Sequence, residues 1–155
     1  MIYVECKPDF TLVKFVTRLP TDEISHEFKG KSGVCMQLAT HKNSKGLVDE
    51  DPWALQPRYV REAELEYDLP KLGLRLLHDT ARNNHLIVLR PRLEEWILAA
   101  SKEARIDVRS YELPSSGESL HRHINIRLGR FEHLLEALMH SSNRLKTLRR
   151  LFERG

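Results

Sequence analysis

The chain has 155 residues and a mass of 18.1 kDa, a length that supports one domain with a hydrophobic core of its own rather than two. Apolar residues make up 41% and charged residues 30%, a balance that excludes a disordered, collagen-like or coiled-coil chain. No apolar run approaches the roughly 20 residues of a membrane helix, and Glu5 stands where a signal peptide would be greasy, so the sequence reads as a cytoplasmic protein without a membrane partner.

Net charge is +3 but uneven: residues 1–78 hold 11 Lys/Arg against 12 Asp/Glu, whereas residues 79–155 hold 14 against 10. The excess gathers at the end of the chain in Arg144, Lys146, Arg149, Arg150 and Arg154. Such a run is either a solvated helix face or a contact for a polyanion, nucleic acid above all. The two cysteines, Cys6 and Cys35, have neither zinc nor disulfide-scaffold spacing and read as small buried residues.

Residues 2–6 are β-branched and aromatic and stop at Lys7-Pro8, which predicts a strand followed by a helix with proline in its first turn. That helix carries Phe10, Leu12, Val13 and Val16 and ends by Pro20. Residues 23–28 predict a second strand, Val34, Met36 and Leu38 a second helix capped by Ser32, and residues 46–52 a third strand closed by Pro52. A polar helix is expected over residues 58–67, then strands over 72–78 and 85–91, the latter a continuous apolar run suited to burial on both faces. Leu93, Trp96, Ile97 and Ala100 mark a helix beginning after Pro91. Residues 110–119 read as a loop, and 128–140 and 144–152 as an antiparallel helical hairpin joined at Ser141-Ser142-Asn143. The alternation of strand and helix predicts an α/β fold with a mainly parallel sheet flanked by helices. Residues 1–155 then form a single domain, with 118–155 as a helical C-terminal extension.

Glu5 ends the first strand, and Asp49 and Asp51 end the third, two residues apart and hence on one face of an extended chain. In a parallel sheet the carboxyl ends of the strands share an edge, so the three acids converge there. Clustered carboxylates repel one another and lose hydration, a cost that a hard divalent cation, magnesium or manganese, would offset. Acids at strand ends also cap helices or face water, and spacing alone does not choose between these roles.

Glu5-Cys6-Lys7-Pro8-Asp9, followed by a βα unit and then Val48-Asp49-Glu50-Asp51, resembles the TOPRIM domain of topoisomerases, primases, OLD-type nucleases and small ribosomal-RNA maturation nucleases. The resemblance covers residues 1 to about 100 and implies a Rossmann-like TOPRIM sheet and Mg2+-dependent (or Mn2+-dependent) phosphodiester chemistry. It also implies catalytic roles for Glu5, Asp49 and Asp51, with Glu5 as general acid or base, the Asp pair on metal, and Asp9 at a recurrent acidic position. Leu93-Glu94-Glu95-Trp96 is similar to a late motif of compact TOPRIM-like proteins and implies Glu94 as a fourth metal ligand. Cys6 in place of glycine and Pro52 after the Asp-x-Asp pair depart from the pattern and make topoisomerase or primase activity a poor expectation.

Gly30-Lys31-Ser32 lacks the earlier glycine of a phosphate-binding loop, since Ser25 stands there, but Lys29 and Lys31 are candidates to touch a phosphate. His121-x-His123 puts two imidazoles on one face if extended, yet no third ligand has zinc spacing. Trp53 and Trp96 read first as core or pocket wall, and Trp53, next to the acids, is also a candidate to stack on a base. The leading expectation is a metal-dependent nuclease or related phosphoryl-transfer enzyme, with Arg144, Lys146, Arg149 and Arg150 holding nucleic acid. The rival is a non-catalytic TOPRIM-like interaction protein of a nucleic-acid-processing or defence complex, binding a protein partner or a second copy through Leu145, Leu148, Leu151 and Phe152.

Overall fold

The computed structural model describes residues 1–154. Six strands form one sheet, β1 (Ile2–Val4), β2 (Ile24–Ser25), β3 (Lys45–Asp49), β4 (Glu64–Leu69), β5 (Leu74–Asp79) and β6 (Asn84–Leu89), in the spatial order β2-β1-β3-β6-β5-β4. The first four positions of that order are mutually parallel, while β5 and β4 run antiparallel at the far edge. Seven helices accompany the sheet among the described residues: α1 (Lys7–Thr17), α2 (Gly30–Thr40), α3 (Arg58–Glu62), α4 (Leu93–Glu103), α5 (Gly117–Ile126), α6 (Leu128–Ser141) and α7 (Asn143–Glu153). The α/β class with a mostly parallel sheet is therefore as the alternation predicts.

The period of two along each strand divides the core into two layers. Ile2, Val4, Leu47, Leu76, Ile87 and Leu89 pack with α1, α4, α5, α6 and α7 residues such as Leu12, Trp96 and Phe131. The intervening Tyr3, Val48, Leu77, Leu86 and Val88 pack instead on Val34, Cys35 and Leu38 of α2, with Tyr59 and Val60 of α3 beside them. Every residue of β6 is buried, as expected of a strand covered on both sides. Gly46 lets α2 approach this closely, since a Cβ there would stand 2.9 Å from Leu38 Cδ1 and 3.0 Å from Val34 Cγ1.

Three expectations need correcting. The helix beginning at Arg58 stops at Glu62, and residues 64–69 form β4. An edge strand pairs on one side only, and most of these side chains face water, so no alternation of apolar residues announces it. The second strand shrinks to two residues behind a 3-10 turn at Thr21–Glu23. A helix, α5, replaces the end of the predicted loop: Ser116 caps it, its hydroxyl accepting the Ser119 amide, and Leu120 and Ile124 bury one face four residues apart.

At the C-terminus Ser142 alone separates α6 from α7, and both helices pack on α1. Leu145, Leu148, Leu151 and Phe152 are all buried there. Of the two tryptophans expected in the core or a pocket wall, Trp96 is fully buried and donates its indole N–H to the Leu72 carbonyl at 2.8 Å, whereas Trp53 lies on the loop after β3 and is 93% exposed. Both cysteines are free, Cys35 buried and Cys6 half-buried.

Asn84 locks the start of β6. The fully buried side chain accepts the Ser44 amide at 2.8 Å through its oxygen and donates its amide to the Leu38 carbonyl at 2.7 Å and, in a partly buried bond, to the His41 carbonyl at 2.8 Å. Asn84→Leu would strand three polar groups, each costing about 1–3 kcal/mol when buried without a partner. Urea unfolding should show a loss of at least about 2 kcal/mol, whereas a surface change such as Lys42→Ala should stay within about 0.5 kcal/mol.

Candidate functional site

Strand order reverses between β1 and β3: the chain moves from β1 outward to β2, then back across β1 to β3. The crevice outside the carboxyl ends of the strands at such a reversal is where open α/β sheets bind ligands. Glu5 follows β1 directly and Asp49 is the last residue of β3, so the two stand on either side of it. Asp9 enters from the first turn of α1 and Glu94 from the first turn of α4. All four carboxylates line one cleft of about 530 Å³, with Lys7, Lys29 and His121.

Backbone hydrogen bonds fix the two strand-end acids. Glu5 Oε2 accepts the Asp49 amide at 2.7 Å, and Asp49 Oδ1 accepts the Leu93 amide at 2.9 Å, which gives α4 a cap that its own Arg92 does not supply. Cys6 donates its thiol to Asp9 Oδ2 at 3.1 Å. Glu94, 4% exposed, meets His121 Nδ1 at 2.6 Å through Oε1. Asp9 is 2% exposed, so two carboxylates of the cleft sit almost out of reach of water.

Burial pushes the Asp49 carboxyl well above its usual range, and the charges of Asp9, Glu5 and Glu94 push it further. Asp9 is raised for the same reasons, burial first, then Glu5 and Glu94. Burial also raises Glu5, against the Asp49 amide and the Lys31 charge, which favour its ionised form. Burial and the neighbouring Asp9 keep the Cys6 thiol protonated. The protein's own cations relieve the charge of the cluster only in part: the Lys31 charge favours ionised Glu5, but its ammonium bonds Glu50 O at 2.6 Å and Gln56 Oε1 at 3.0 Å rather than a carboxylate of the cleft.

The residues singled out in the sequence fall into two groups. Glu5, Asp49 and Glu94 come together, and Asp9 joins them. Asp51 does not share a strand face with Asp49, because β3 ends at Asp49 and Asp51 turns at φ 44° with its amide on Pro91 O. Its charge still reaches Glu5, but it is not part of the cleft lining. Lys29 stays exposed at the cleft, whereas Lys31 braces the β3–α3 loop.

The basic C-terminal run is largely in structural use. Arg144, its side chain 11% exposed, holds Glu103 at 2.9 Å, and Arg149 pairs with Glu153 at 3.1 Å, while Lys146 and Arg150 are exposed. Lys45, at the amino end of β3, donates to the Phe152 carbonyl, so the last turn of α7 lies at the end of the sheet opposite the acids. His121 and His123 share no face, since α5 turns about 100° per residue. One meets Glu94, and the other meets Arg130 at 2.9 Å. The role of His121 is visible only once α5 packs on α4; Ser116 followed by Leu120 and Ile124 is the sequence signal that would have placed it on a helix.

The oxygen-only donor set of the four acids suits magnesium or manganese, which keep several waters and need only one or two carboxylates directly. No three of these carboxylates bring oxygens within 4.8 Å of one another, so direct coordination by three would require side-chain rotation. No protein-family model matches this chain, and no curated protein or solved structure matches it.

Raised carboxyl pKa values mean that the folded state holds protons that the unfolded chain has already released. This contribution to stability is complete below the ordinary carboxylate range near about 4 and fades as pH rises above it. Metal-free protein should therefore lose melting temperature from pH 5 to pH 8. Asp49→Asn, which keeps an oxygen for the Leu93 amide, should flatten that slope. Asp49→Ala should flatten it as well but cost about 1 kcal/mol for the lost cap. Thermal unfolding of the three proteins across pH, in chelator, checks all of this.

Proposed function

We propose that this chain is a divalent-cation-dependent phosphoryl-transfer enzyme of the nuclease class, TOPRIM-like in its pairing of Glu5 with Asp49. One observation carries the reading: four carboxylates at the reversal point of a parallel sheet, three of them with raised pKa values, with no lysine or arginine in ion-pair contact with them among the described residues and only His121, on Glu94, as a basic partner. A structural cluster would pair its acids with arginine or lysine, as Glu50 does with Arg90 at 2.7 Å in the same molecule.

Glu5, Asp49, Asp9 and Glu94 would hold Mg2+ or Mn2+, which supplies charge neutralisation at a phosphate and acidifies a bound water. Glu94 orients the His121 ring through Nδ1 at 2.6 Å, so His121 is the residue placed to move a proton in the site. Lys7 and Lys29 bring positive charge to the cleft for the phosphate backbone. Asp51, although a member of the TOPRIM motif, acts here on Glu5 through charge rather than by lining the cleft.

Nucleic acid is the proposed substrate because it presents phosphodiesters beside stackable bases. Trp53, 93% exposed on the loop that follows Asp49, offers such a base an aromatic face. The interaction-protein reading drew on an apolar stripe along α7, and that stripe is consumed inside the fold.

Two measurements test the proposal. Titration calorimetry with Mn2+ and Mg2+ should give binding to wild type that weakens at least about tenfold in Asp49→Asn. Cleavage of labelled single-stranded and duplex DNA and RNA should require Mn2+ or Mg2+ and fall at least about 100-fold in Glu5→Gln and His121→Gln. No metal binding at pH 7.5, or cleavage equal in wild type and Glu5→Gln, overturns it. Of the two tryptophans only Trp53 is exposed, so quenching of fluorescence by an oligonucleotide should vanish in Trp53→Phe and weaken as salt rises.

A further inference from the structure

A second polar cluster occupies the opposite end of the sheet. Register sets His85, the second residue of β6, beside Lys45 of β3 on one side and His78 of β5 on the other, and β4 follows beyond His78. The irregularity in the β4–β5 pairing between Leu65 and Tyr67 falls at Glu66, a placement that bulges often use to re-aim a side chain. Glu66, His78 and His85 each offer one ligand atom within 4.8 Å of the other two, the only such set of three among the described residues.

Two polar atoms of this cluster have no partner. His78 Nε2 and Glu66 Oε2 are both buried without a hydrogen bond, although Glu66 Oε2 comes within 3.4 Å of His85 Nε2. His85 is 6% exposed, and its ring stacks on that of His78 at 4.4 Å between centroids. An unsatisfied buried carboxylate oxygen and imidazole nitrogen each cost about 1–3 kcal/mol, and a chain that keeps both side by side has left a place for something that binds them together.

We infer that Glu66, His78 and His85 form a binding site for a first-row transition ion, zinc above all, independent of the acidic cleft. Two imidazoles and one carboxylate are a known three-ligand set for zinc with a fourth position open to water, and nitrogen donors separate this site from the oxygen-only cleft. The 3.4 Å between Glu66 Oε2 and His85 Nε2 is close to the roughly 3.3 Å edge of a tetrahedron with bonds near 2.0 Å. Binding would tilt the stacked rings so that His78 closes on the same ion. Arg154 supports the carboxylate from outside, holding Glu66 Oε1 at 3.1 Å while leaving Oε2 free. Lys45, on the neighbouring strand, directs its ammonium to the Phe152 carbonyl.

Cobalt as a spectroscopic substitute, together with zinc calorimetry, tests this on the full chain. Wild type should bind one Zn2+ per chain, and Co2+ should give the visible absorption of a four-coordinate site. His78→Gln and Glu66→Gln should each weaken Zn2+ at least about 100-fold, beyond the range of a change outside the ligand sphere, while Asp49→Asn leaves both signals intact. Should a variant fold poorly, ring-proton NMR of the wild type decides instead: substoichiometric Zn2+ should shift two of the eight histidines, those that couple across strands as His78 and His85. Absorption typical of six-coordinate cobalt, zinc binding unchanged in His78→Gln, or loss of the signal in Asp49→Asn would overturn the site. Because Mg2+ and Mn2+ binding at the cleft is measured separately, either site can fail without the other.

Discussion

Asp49 joins the backbone of the fold to the charge of its cleft. Its amide holds Glu5 at the end of β1 and its carboxylate caps α4, so three segments far apart in the chain are fixed at one point. The same carboxylate is buried against three others, and the interactions that position it also prevent it from escaping into water. A group placed this way serves structure best when neutral and chemistry best when charged. Under the proposed function a divalent cation would satisfy both demands, because it would let the acid ionise without losing the hydrogen bond to Leu93.

The parts of the fold that the sequence displays are those where burial imposes a pattern. Pro8 marks the first turn of α1, the run from Leu86 to Leu89 marks a doubly covered strand, and Trp96 with Ile97 and Ala100 marks α4. β4 escapes because its side chains mostly face solvent, and α5 because its few apolar residues follow a stretch rich in serine. The acids divide the same way. Glu5 and Asp49 are legible from their strand ends, Asp9 and Glu94 only through likeness to a family, and the Glu66–His78–His85 set not at all, since its members meet through strand pairing rather than spacing in the chain. Asp51 misleads because the expected strand over 46–52 stops at Asp49, and Asp51 lies in a left-handed turn rather than on an extended chain.

The basic residues near the C-terminus divide between structural pairing and open surface. Arg144 and Arg149 each have an acid of their own, and Arg154 is held between Glu66 and the ring of Tyr67, 4.7 Å from its centroid. Arg144 and Arg154 fasten α7 to the rest of the molecule, Arg149 pairs within the helix, and Lys146 and Arg150 stay exposed, while Lys7 and Lys29 line the cleft itself.

Ser142 terminates α6 and caps α7 at once: its amide donates to Leu138 O, and its hydroxyl accepts the Leu145 amide. A junction of one buried residue leaves the chain no slack, so the two helices are geared together. One residue inserted there would rotate α7 by about 100° and swing Leu145, Leu148 and Phe152 away from the core. The same turn would lift Arg154 from Glu66 and from the ring of Tyr67 on β4. Length at this single position is therefore as firm a structural requirement as the shape of any core side chain, and it ties the outermost strand to a serine on the far side of the sequence.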